Sequence, residues 1–142
     1  MRELAAFERN IKHFHVTQDD LLDYGFGDTP RFGVFLAERE EKIVGIAVHY
    51  RIPWTYDMRP IVVLKELFVS DQARGIGAGR ALFQRLLEHA SDIGASAVRW
   101  TVLRDNDDAK RFYASVGGVL DVVWEPWEIR LPVAASVKTQ KQ

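Results

Sequence analysis

A chain that passes from a β-prone run through a glycine-rich loop into an amphipathic helix, and then into a second β-prone run, has few folds open to it. Here IVVLKELFVS (61–70) leads into QARGIGAG (72–79), a helix stopped by Gly94, and AVRWTVL (97–103). A strand–helix–strand crossover of that length joins parallel neighbours. The preceding stretch reads differently: GVFLAER (33–39) and KIVGIAVHY (42–50) meet at the polar turn EEK, an antiparallel hairpin pattern. The expected class is therefore α/β (α+β), a mixed and mostly antiparallel sheet with one central parallel pair, flanked by helices.

Around that centre, periodicity supplies the other elements. Leu4, Phe7, Ile11 and Phe14 recur at helical spacing, which predicts a helix over 2–14. Thr17 ahead of QDDLL is an N-cap followed by acidic residues, and GFGDTP (25–30) ends the helix it starts. The helix after the glycine loop carries Leu82, Phe83, Leu86, Leu87 and Ala90 on one face. A last helix is expected from Asn106 to Val116, closed by Gly117 and Gly118, with two strands at 119–124 and 127–131. With 142 residues the chain is read as one domain, 1–132, with a flexible tail at 133–142.

Composition removes several function classes. A formal net charge of −1 leaves no global footprint for nucleic acid or an anionic membrane. The chain has no cysteine, so disulfides, thiolate metal sites and a cysteine nucleophile are all excluded. No apolar run reaches membrane-spanning length and MRELAAFERN lacks a signal-peptide core, so a cytoplasmic location is expected. His13, His15, His49 and His89 show no HExxH spacing, and no metal is implied. Trp100, Trp124 and Trp127 read as core or interface anchors; Trp54 reads as the same or as part of an acceptor-side loop.

The glycine loop carries the chemistry. It lacks the Lys-Ser or Lys-Thr of a nucleotide P-loop. It also fails the dinucleotide fingerprint, because Arg80 occupies the third glycine position and SDQAR separates the loop from its strand. What remains is a loop whose bare amides wrap a pyrophosphate at a helix N-terminus, with Arg74 and Arg80 flanking it.

Gln72, Ala73, Arg74, Gly75, Ile76 and Gly77 fit [QR]-x-x-G-x-[GA], which resembles the acetyl-CoA loop of the GNAT N-acetyltransferase superfamily. Further on, NDDAKRFYASVGG (106–118) is similar to that superfamily's N-x-x-A-x-x-[FL]-Y-x-x-x-G element. The resemblance implies acetyl-CoA as co-substrate, held by Leu67, Phe68 and Val69, by Gln72, Arg74, Gly75, Ile76, Gly77, Ala78, Gly79 and Arg80, and by Asn106, Ala109 and Tyr113. It also implies a splayed parallel strand pair that receives the pantetheine arm. Tyr113 would stand near the coenzyme sulfur as the acid for the leaving thiolate, the ordinary thiol and phenol pKa values lying only about 1.5 units apart. Phe112 is assigned to the core.

RELAAFE (2–8), VTQDDLLDYGFGDTP (16–30) and the run from VLKELFV to FYASVGG look like the diamine (spermidine/spermine) N-acetyltransferase branch and its thialysine-acetylating relatives. This resemblance places Phe7, Glu8, Lys65, Glu66 and Glu125 at the acceptor site, with Glu66 the base for an ammonium acceptor, acting through water. The branch typically has two adjacent acidic residues where this chain has Lys65 and Glu66. Neighbouring residues of a strand point to opposite faces, so both enter the cleft only if the strand bulges. A cation there repels a polyamine and favours an amine bearing a carboxylate. The family normally begins with a strand and the first part of a helix ahead of RELAAFE; either the sequence is truncated there or the domain lacks its first edge strand, and a missing edge is expected to leave the hairpin unpaired and to favour a homodimer or aggregation.

The implied reaction is transfer of acetyl from acetyl-CoA to a primary amine of a small molecule, a polyamine or diamine or a thialysine-like amino acid, by direct attack. The alternatives are acetylation of a protein N-terminus or an aminoglycoside, or a non-catalytic acetyl-CoA sensor.

Overall fold

A computed structural model describes residues 1–131. Four strands form one sheet in the order β1 (Gly33–Arg39), β2 (Lys42–Pro53), β3 (Pro60–Val69) and β4 (Ala97–Trp100). β1–β2 and β2–β3 are antiparallel and β3–β4 is parallel, the mixed sheet expected from the sequence. Glu40 and Glu41 close the β1–β2 hairpin with φ of +51° and +61°. Two positive φ values in succession match the right-handed twist of the paired strands.

Helix α3 (Ala78–Asp92) lies across the sheet and buries Leu82, Phe83, Leu86 and Ala90 against Ala47, Val62 and Leu64. Leu87, on the same apolar face, is partly buried. Helix α4 (Asp107–Ser115) follows β4 and packs Phe112 and Tyr113 around Phe83, with ring centroids 6.0 and 5.9 Å away. Gly118 then passes so close to Trp100 that a Cβ would come within 2.8 Å of the indole, so only glycine fits there.

The N-terminal helix is shorter than its apolar spacing predicts. Helix α1 covers Arg2–Phe7, and a separate 3₁₀ turn covers Ile11–His13. Arg9 breaks the run with φ +56°, a left-handed conformation that no α-helix propagates. Helix α2 (Gln18–Phe26) starts where Thr17 predicts: the Thr17 hydroxyl accepts from the Asp20 amide at 3.1 Å, and Asp20 Oδ2 accepts from the Thr17 amide at 2.8 Å.

The two strands expected at 119–124 and 127–131 are not formed. The stretch carries no regular element and faces solvent, with Val119 88% and Trp127 91% exposed. An apolar run makes a strand only when a neighbouring strand takes up its backbone groups. β4 ends at Trp100 and offers this segment no ladder, and Pro126 has no amide to donate. The expected tail, 133–142, lies outside the described residues.

Candidate active site

The glycine loop adopts the form its composition demands. Gly75 and Gly77 have φ of +77° and +90°, and a Cβ at either would meet nothing within 4 Å. Conformation, and not crowding, therefore requires glycine at both. Gly77 is the N-cap of α3 and provides no side-chain acceptor, so the amides of the first turn, Ala78, Gly79 and Arg80, have no side-chain cap. That is a surface built for an anion. Arg74 pairs with Asp71 at 3.0 Å and its Cζ lies 5.8 Å from the Phe7 ring centroid, which ties α1 to the loop. Arg80 donates to Ser115 Oγ at 3.1 Å and ties the loop's helix to α4.

β3 and β4 pair over four positions only, Ile61 with Ala97 through Leu64 with Trp100. Beyond Leu64 the two strands part, while β3 continues against β2 to Val69. Leu67, Phe68 and Val69 thus have one edge in the sheet and the other turned to the opening. At the point of parting the β2–β3 register slips: His49 pairs with Leu64 and Val48 with Glu66, so Lys65 is an extra residue. This is the bulge that the sequence required if Lys65 and Glu66 were both to enter the cleft.

Both do. They line a cavity of about 170 Å³ together with Leu4, Glu8 and Phe14, and a second of about 600 Å³ that extends over Val48 and Tyr50 to Tyr24 and Arg31. Lys65 Nζ stands 3.4 Å from Glu66 Oε1. Glu8 joins the same charged group: partial burial and the Glu66 carboxylate raise its pKa, against the opposing pull of Lys65. Groups perturbed by burial and by charged neighbours cluster at functional sites.

Other sequence-expected residues sit apart. Asn106 caps α4, its Oδ1 accepting from the Ala109 amide at 3.0 Å, so the pair fixes the helix start. Tyr113 packs against Trp100 at 4.8 Å, and burial pushes its pKa up to about 12. The difference of about 1.5 units expected between phenol and thiol is therefore too small. Neither cavity reaches Tyr113, Phe7 or Glu125 among the described residues, and Glu125 lies on the solvent-facing 119–131 segment. Trp54 stacks edge-on with Tyr56 at 5.0 Å beneath Arg99 and lines neither cavity.

Sequence reasoning missed two features. Arg31 and Tyr24 in the larger cavity follow no motif, and only their common spacing to the α2–β1 connection brings them together. His49 reads as an ordinary strand residue but is buried on the α3 face, its ring 5.0 Å from Phe35 and 4.8 Å from His89.

The sequence model of the acetyltransferase (GNAT) family matches residues 1–117. The chain belongs to that family. It is an acetyl-transferring enzyme, and the family generally uses acetyl-CoA as co-substrate. A thialysine N-epsilon-acetyltransferase from Mus musculus is 31% identical over 125 residues, 82% of this chain and 73% of that protein. A human spermidine/spermine N(1)-acetyltransferase-like protein 1 is 28% identical over 138 residues, 91% of this chain but 19% of its own length. Among solved structures, an integron cassette protein from the mobile metagenome of V. cholerae superposes with a TM-score of 0.75 at 26% identity, covering 90% of this chain and 80% of that one. No helix among the described residues is long and apolar enough to cross a membrane.

Proposed function

We propose that the enzyme transfers acetyl from acetyl-CoA to the primary amine of a small molecule, with the cleft beside the β3 bulge as the acceptor site. The observation that carries this reading is the bulge itself. It turns Glu66 onto the same side as Lys65 at the position where β3 leaves β4. The pyrophosphate rests on the amides from Gly75 to Arg80, and the pantetheine arm pairs along the free edge of Leu67, Phe68 and Val69 as an added strand would.

The acceptor arrives as an ammonium with a pKa of about 10 and must lose a proton before it attacks. Glu66 takes that proton through water, and Glu8 supplies a second carboxyl beside it. The amine nitrogen forms its bond to the thioester carbonyl carbon and gives its second proton to water, the C–S bond breaks, and CoA departs as a thiolate. Transfer of a proton from a phenol at about 12 to a thiolate near 8.5 is uphill by roughly 3.5 units. Tyr113 therefore acts as a neutral hydrogen-bond donor to the leaving sulfur, and the thiolate is protonated from water. With no cysteine in the chain, no thioester to the protein intervenes.

The acceptor classes are a diamine or polyamine and a thialysine-like amino acid: Glu8 and Glu66 suit the ammonium of either, and Lys65 in the cleft favours the one that bears a carboxylate. A panel of polyamines, lysine-like amino acids, peptide N-termini and aminoglycosides tests the reading through release of free CoA. Turnover confined to peptide N-termini or aminoglycosides overturns the small-amine assignment. Binding of acetyl-CoA with no release for any amine favours a sensor instead.

A further inference from the structure

Of the two basic side chains, Lys65 and Arg31, that line the larger cavity beside His13 and His15, Arg31 has no acidic partner among the described residues. Among the cavity's charged residues, Asp20 is engaged by the amide and hydroxyl of Thr17, and Glu66 faces Lys65. Arg31 forms no salt bridge among the described residues. Its Cζ instead lies 4.2 Å over the Tyr24 ring, and its amide donates to the Tyr24 carbonyl at 2.8 Å. A guanidinium held over an aromatic face keeps its edge N–H groups available, and those grip a carboxylate in a fork.

Its position is also useful. Arg31 precedes β1, while Lys65 and Glu66 are on β3, with β2 between them. The registers set Gly33 level with Leu64 across β2, so the two ends of the cavity are about two strand spacings, roughly 10 Å, apart across the sheet and a few residues apart along it. A flexible amino-terminated chain spans that gap with its amine at Glu66 and an anionic end at Arg31. Lys65 is less suited to the anionic end, because the Glu66 carboxylate beside it already offsets its charge.

We propose that Arg31 is a specificity-determining residue that binds the carboxylate of an amino-acid acceptor whose distal amine is acetylated. This rests on the acetyl-transfer reading given above. It makes Arg31, held by Tyr24, the group that separates amino acids from diamines of the same length.

The test compares lysine with cadaverine, which has the same chain and terminal amine but no carboxylate, in the wild type, Arg31→Gln and Arg31→Lys. In the wild type kcat/KM is higher for lysine. Arg31→Gln lowers kcat/KM for lysine by about tenfold, through KM and with kcat retained, and leaves cadaverine unchanged or improved. Arg31→Lys restores part of the loss for lysine. Equal changes for both acceptors in Arg31→Gln overturn the assignment and leave acetyl transfer standing, as does a wild type that favours cadaverine. Turnover of neither lysine, cadaverine nor any other small amine by the wild type overturns the acetyl-transfer reading, and this inference with it.

Discussion

Lys65 and Glu66 are sequence neighbours in a strand, yet their charged groups stand 3.4 Å apart and line the same two cavities. A regular strand would send one of them to the α3 face, where Leu64 and Leu67 pack. The bulge at Lys65 keeps both on the cleft side, and it falls where the parallel pairing ends. A single extra residue, Lys65, thus puts both its own ammonium and the Glu66 carboxylate on the cleft side where β3 and β4 part.

If Glu66 draws the proton from the acceptor, Glu66→Gln lowers kcat/KM near pH 7.5 on the order of 100-fold. The deficit shrinks as pH approaches the amine's own pKa of about 10, because the acceptor then arrives neutral. Rates measured across that range check the role. A deficit that stays constant with pH contradicts it.

Tyr113→Phe removes a hydroxyl but keeps the ring that packs on Trp100 and Phe83, so the fold is retained. Turnover falls on the order of 100-fold, the usual effect of losing one donor to a developing anion, while acetyl-CoA binding hardly changes. Because burial holds the phenol near 12, it remains protonated throughout the assay range and adds no alkaline limb of its own to the rate profile. Calorimetric binding beside steady-state kinetics separates the two effects; unchanged turnover removes Tyr113 from the mechanism.

His49 makes fold stability depend on pH. It is 6% exposed, its Nδ1 has no hydrogen-bond partner, and burial, His89 and Arg51 lower its pKa to about 4 from 6.5. The unfolded chain binds this proton more readily, so stability is intact above about pH 6.5 and falls as pH drops toward about 4. Melting temperatures of the wild type and His49→Phe should diverge across that window, with the wild type falling more steeply. Parallel curves would show that His49 does not titrate on unfolding.

Much of this arrangement is legible in the sequence because it is local. The β1–β2 hairpin, the glycine loop, the Thr17 cap and the apolar face of α3 each follow from residues within a few positions of one another. The features that escape depend on partners distant in the chain. The runs at 119–124 and 127–131 have the apolar content of strands, but a strand needs a ladder that β4 does not extend to it. The bulge could be stated as a condition of Lys65 and Glu66 acting together, but only the pairing of Val48 and His49 shows it. His49 and Arg31 have no motif at all; one becomes a buried base and the other a stacked cation through elements folded beside them.

The central claim, direct transfer from acetyl-CoA to an amine at the bulged cleft, is tested most directly by counting thiols against acetylated product. The chain contributes no thiol of its own, so every free thiol detected is CoA. With a small primary amine present, the account predicts one CoA released per acetylated amine, no release when the amine is omitted, and no acetyl group retained on the protein by mass spectrometry. CoA release without amine, with acetyl carried on the protein, would contradict it.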